Sequence, residues 1–95
     1  MSIEQDLDRF QKMKQKRIAF VVYELVKRGG EADIKELEGS LATNYGLRRK
    51  TLEEEYFKDL QFYRVLDVTG DKLVLLWEEN KAKEWLKRQG ILPKE

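Results

Sequence analysis

The sequence predicts an α+β fold. Three observations predict it. Apolar residues recur at helical spacing in two stretches joined by a short turn, Ile34 to Leu41 and Leu52 to Leu60. Two Val/Leu-rich runs flank Gly70-Asp71, and helical periodicity returns after Leu76. The chain has 95 residues, 41% of them hydrophobic and 39% charged. That suffices for a modest core under a heavily charged surface, so one domain is expected over residues 1–95. The single proline, Pro93, lies in the tail, and no linker, repeat or low-complexity segment interrupts the chain.

The first helix is expected over residues 1–28, most regular from about Ile3 onward. Ile18, Val21, Val22 and Leu25 fall on one helical face. Ile3, Leu7 and Phe10 continue a similar stripe upstream, and the pattern lapses over Lys14 to Arg17, where a bend is expected. Lys27-Arg28 followed by Gly29-Gly30 gives cations in the last turn and a glycine stop. Asp33 then has the form of an N-cap, with Glu36 as its capping-box partner. Ala32 is placed as a minimal strand against the later hairpin. Ile34, Leu37 and Leu41 form the stripe of the second helix, and Asn44-Tyr45-Gly46-Leu47 forms a turn. The third helix opens on Arg48-Arg49-Lys50-Thr51 and buries Leu52, Tyr56 and Leu60, so that helix, turn and helix together span residues 33–62. A hairpin over residues 65–76 turns at Gly70-Asp71, glycine first. A last helix over residues 78–89 carries Lys81, Trp85 and Leu86 near one side with Trp77 just before it, and Gly90 ends it.

The run Tyr45-Gly46-Leu47-Arg48-Arg49-Lys50-Thr51-Leu52 has glycine and an apolar residue ending a turn, three polar positions, then Thr and an apolar residue. Leu60-Gln61-Phe62-Tyr63-Arg64-Val65-Leu66 closes the helix and starts a strand. In both, and over Ile18 to Leu76 as a whole, the chain resembles the winged helix-turn-helix superfamily of DNA-binding domains. The resemblance implies a three-helix core with a two-stranded β-hairpin wing, here with an extended N-terminal helix and an extra C-terminal helix. It departs from the pattern in four places. Arg64 stands where many members carry glycine, and Arg48 where a Ser or Thr cap is common. The third helix is about one residue longer than usual, and Glu53-Glu54-Glu55 put carboxylates where phosphates are expected nearby.

The resemblance implies sequence-recognising binding of double-stranded DNA by a small transcriptional regulator. A recognition helix enters the major groove by its N-terminal residues. Arginine can bond guanine twice, and Lys or Thr can bond phosphates or base edges. Arg48, Arg49, Lys50 and Thr51 are therefore the expected groove contacts. Tyr45 in the turn, Arg64 and Lys72 are expected beside them, the last two at flanking phosphates. The three glutamates then mark the helix side facing away from DNA, or else a protein that does not bind DNA. Ile3, Leu7 and Phe10, with Trp77, Trp85 and Leu86, are the expected homodimer contacts, the alternatives being a helix-pair contact for Leu7 and Phe10 and packing on the core or the first helix for the tryptophans, and a C2 dimer would set two recognition helices about one DNA turn apart. Lys12 to Arg17 is expected to be a solvated basic face, with phosphate contact as the lesser alternative. Tyr56, Phe57, Phe62 and Tyr63 are expected to pack the third helix on the hairpin, in preference to stacking on single-stranded bases.

Other function classes have little to work with. Histidine and cysteine are both absent, which removes the commonest general base and metal ligand, thiolate chemistry and disulfides. Neither Ser2 nor Ser40 has a base for nucleophilic catalysis, adjacent glutamates diverge around a helix, and Gly29-Gly30 lacks phosphate-loop spacing. No enzyme, cofactor or metal is expected, and no small-molecule effector is identifiable. No apolar run spans a bilayer and the first residues are polar, so no membrane partner is expected and the cytoplasm is the expected location. Abundant Glu and Lys without Cys points to a heat-adapted source. Net charge is only +1. That keeps a second reading open: the same fold as a protein-interaction module in a larger complex, without DNA binding.

Overall fold

A computed structural model describes residues 12–91 of the chain. Helix α1, Lys12–Lys27, runs unbroken through the segment where a bend is expected. Lys, Gln and Arg are good helix formers, so a lapse in the apolar pattern does not break it. Its Ile18, Val21, Val22 and Leu25 are all fully buried. Ile3, Leu7 and Phe10 lie outside the described residues. Gly29 and Gly30 both take positive φ, and the Gly30 N–H closes the helix on the Leu25 carbonyl at 2.8 Å.

Strand β1, Glu31–Asp33, leads directly into helix α2, Ile34–Tyr45. Asp33 caps α2 by accepting from the Lys35 and Glu36 N–H groups at 3.0 and 3.1 Å. At the other end Gly46 adopts φ 69°, a left-handed conformation that costs glycine nothing, and turns the chain towards the third helix. That helix, α3, covers residues 49–62 in three pieces: α-helical Arg49–Thr51, a π-helical segment Leu52–Tyr56 and α-helical Phe57–Phe62. Leu52, Tyr56, Phe57 and Leu60 are its buried face. A Schellman turn ends it, with Val65 N–H on Leu60 C=O at 2.8 Å and Arg64 N–H on Gln61 C=O at 3.0 Å. Arg64 holds the left-handed position, φ 60°, the one non-glycine residue to do so among the described residues.

Strands β2, Leu66–Thr69, and β3, Lys72–Leu75, form the hairpin, with Gly70 at φ 62° in its turn. The minimal strand expected at Ala32 joins them as a third. β1 pairs antiparallel with β3, Ala32 opposite Leu73, giving the order β1-β3-β2. Helix α4, Glu79–Arg88, packs on α1 and buries Ala82, Trp85 and Leu86. Among the described residues the fold is therefore α+β, four helices and a three-stranded antiparallel sheet. No described helix is long and apolar enough to cross a membrane.

Two further expectations change. Trp77, Trp85 and Leu86 belong to the chain's own core, the two indoles meeting edge to face at 5.6 Å. Their apolar surface is consumed within the subunit and is not offered to a partner copy. Tyr56 and Phe57 pack as expected, but Phe62 is 78% exposed. It lies two residues past the buried Leu60, roughly 200° around the helix axis, and so on the solvent side.

Candidate functional site

The first turn of α3 gathers the basic side chains. Arg48, Arg49 and Lys50 are all exposed, and Thr51 is half-buried. Arg48 is extended and supplies no side-chain cap, so its guanidinium is not engaged with its own helix. Arg49 is more constrained. Its guanidinium lies against α2, with Nη2 3.5 Å from where a Cβ on Gly39 would stand, and its charge acts on Glu38.

Beside this turn lies a cleft of about 390 Å³ lined by Arg17, Tyr45, Gly46, Leu47, Arg48, Thr51 and Tyr56. Its wall holds two guanidinium groups and no carboxylate. Arg17, on α1, donates from Nη1 to the Tyr56 hydroxyl at 3.2 Å. The sequence places Arg17 in a basic face, solvated or at a phosphate, and its partner, 39 residues away, is not legible locally. The rest of that basic segment divides. Lys14 binds Glu55 and Asp59 of α3 at 2.9 and 2.8 Å, which occupies it. Lys16 is exposed.

Tyr45, expected as a partly exposed contact, is half-buried. It stacks on Phe20 with ring centroids 4.3 Å apart and donates its hydroxyl proton to Glu24 at 2.9 Å. Glu24 is only 2% exposed and also accepts from Ser40 and Lys27, at 3.0 and 3.1 Å. Burial pushes the Glu24 carboxyl up, but the bonds from Lys27, Tyr45 and Ser40 and the Lys27 charge outweigh it and hold the group below its ordinary pKa. Burial and the Glu24 carboxylate push the Tyr45 phenol up to about 12, so it stays a donor at neutral pH.

The remaining expected contacts are dispersed. Lys72 is exposed at the hairpin turn and pairs with Glu31 of β1 at 3.3 Å. Arg64 is exposed at the far end of α3 from Arg48. The three glutamates do not act as one patch. Glu55 is neutralised by Lys14, and Glu53 faces the carboxyl of Glu38 on α2. Glu54 alone of the three has no partner among the described residues. A second cleft, about 490 Å³, lies between the Gly29-Gly30 turn and β3. Its wall mixes apolar side chains, Trp77 among them, with the carboxylates of Glu31 and Glu79, which make it unsuited to an anion.

Comparison with known proteins gives no match: no family model, no curated protein and no solved structure is similar to the chain. The geometry of the basic turn and its cleft therefore carries the functional reading.

Proposed function

We propose that the chain is a winged helix protein that binds double-stranded DNA, a small transcriptional regulator working as a homodimer in the cytoplasm. The observation that carries this reading is the exposed basic turn Arg48-Arg49-Lys50 beside a cleft walled by arginines and free of carboxylates. The order α1, β1, α2, turn, α3, β2, β3, with β1 paired to the hairpin, supports a winged helix arrangement. In it α3 enters the major groove by its first turn, and the hairpin lies beside it. Arg48 and Lys50, which have no partner among the described residues, make the groove contacts. Arg49 contributes from its seat against α2, and Lys72 reaches the backbone once it releases Glu31. With Trp77, Trp85 and Leu86 inside the core, dimer contact falls to Ile3, Leu7 and Phe10.

Fluorescence anisotropy with mixed duplex DNA across a salt series tests the reading. Binding should weaken steeply with salt as phosphate counterions are displaced. Arg48→Ala with Arg49→Ala should lose about 1–3 kcal/mol for each base-specific contact. Unchanged binding in that double variant removes the groove role. Sedimentation of a chain lacking residues 1–10 tests the dimer, which should become monomeric.

A second reading is a protein-interaction module. The exposure of Phe62 favours it, because a large aromatic on the surface fits a protein contact better than a phosphate backbone. Absence of duplex affinity even at low salt would select it.

A further inference from the structure

We infer, building on the DNA-binding reading, that the cleft between α1 and the start of α3 seats one phosphodiester of the duplex backbone, with Arg17 of α1 as its anchor. The donors converge from separate parts of the chain. Arg17 comes from α1, Arg48 from the turn, and Thr51 and Tyr56 from α3. Among the described residues neither the Arg48 guanidinium nor the Thr51 hydroxyl has a partner, and no carboxylate lines the wall to neutralise the two arginines. Tyr56 is 4% exposed and fixed in the core, so its bond to Nη1 of Arg17 holds that guanidinium in place before any ligand arrives. The remaining N–H groups of Arg17 stay available, and the Tyr56 proton has no acceptor among the described residues.

The chemistry favours a tetrahedral oxyanion. Guanidinium forks and hydroxyl donors approaching from several directions match phosphate oxygens, and an arginine already tethered loses less side-chain freedom on binding. The wall also contains Gly46, which presents bare backbone, and the apolar edge of Leu47, surfaces against which flanking deoxyriboses can rest. Arg17 thus adds a sequence-independent contact outside the groove, on a helix that the recognition turn does not include.

The test is anisotropy with one fixed duplex across a salt series, comparing wild type with Arg17→Gln and with Lys87→Gln, an exposed cation outside the cleft. Arg17 is exposed and Gln is a good helix former, so the variant folds, which circular dichroism verifies. The expected result is that Arg17→Gln makes the slope of log K against log salt shallower by about one unit and weakens all duplex sequences alike. Lys87→Gln should keep the wild-type slope. An unchanged slope in Arg17→Gln, with wild type still binding, overturns the phosphate seat and leaves DNA binding standing. An equal loss in Lys87→Gln also overturns it, since net charge then explains the effect. Wild type failing to bind duplex at any salt overturns the DNA-binding reading itself.

Discussion

The phenol of Tyr45 donates a 2.9 Å hydrogen bond to the buried carboxylate of Glu24, tying the turn before α3 to α1. The bond ends on a charged acceptor, so Tyr45→Phe should cost about 1.5–3 kcal/mol of stability, read as a lower urea midpoint with the slope unchanged. The lowered pKa of Glu24 fixes the pH dependence. A group whose folded pKa is depressed adds stability above its unfolded value of 4.5 and loses it as pH falls through the folded value. The acid limb of the stability curve should therefore be shallower in Glu24→Gln than in wild type. Equal acid limbs would contradict the network.

Glu38 should act in the opposite direction. It is 3% exposed, one of its carboxyl oxygens has no donor, and the groups acting on it are Glu53, Arg49 and Lys35. Burial first, then Glu53, pushes its pKa up from 4.5 to about 7, against the smaller pull of the two cations. The folded protein thus binds the proton more tightly than the unfolded chain. Its contribution is complete below pH 4.5 and is lost as pH rises through about 7. Over that window wild type should lose on the order of 1–3 kcal/mol that Glu38→Gln retains. Denaturant melts at several pH values check this, and parallel curves for the two proteins would refute it.

Arg64 carries backbone strain that glycine would relieve. A left-handed non-glycine residue costs about 1–2 kcal/mol, partly offset by the greater freedom glycine has when unfolded. Arg64→Gly should therefore raise stability by roughly 0.5–1 kcal/mol, whereas Arg64→Val should lower it, as a β-branched residue suits this conformation worst. Thermal melts distinguish the two. A destabilised glycine variant would show that the arginine side chain contributes more than its backbone costs.

Gly39 lies inside α2 with ordinary helical φ, so it gives up stability without a conformational need. A Cβ there would meet the Arg49 guanidinium at 3.5 Å, an ordinary contact with a movable group. Gly39→Ala should stabilise by about 0.5–1 kcal/mol. A drop in melting temperature would mean that Arg49 cannot yield.

What the sequence revealed was local. Asp33 capping α2, Gly46 ending it and Gly70 turning the hairpin are each decided by one residue's own chemistry, and all three stand where the sequence puts them. What stayed hidden was distant. Glu24 is the one charged residue in the run Ile18 to Val26, and its partners Ser40 and Tyr45 are 16 and 21 residues away. No periodicity distinguishes such a buried carboxylate from a solvated one. The bond of Arg17 to Tyr56, 39 residues away, was obscured in the same way. The tryptophans were ambiguous because a large apolar stripe suits a core and an interface equally, and only packing of α4 on α1 decides between them.

The π-helical segment of α3 has a geometric consequence. The Phe57 N–H reaches back five residues to the Leu52 carbonyl, so the turn holds one residue more than an α-helical turn. Each residue advances an α-helix by about 100°. In a regular helix the surplus residue would rotate the cationic end of α3 by that angle relative to the part anchored in the core by Phe57 and Leu60; taken up inside the wide turn, it does not. Removing one glutamate from this segment would leave every charge of the basic turn in the chain and the anchored half in place. It would convert the wide turn into an ordinary α-helical one and leave Arg48 beside Arg17 at the cleft, like slack drawn out of a rope whose ends stay put.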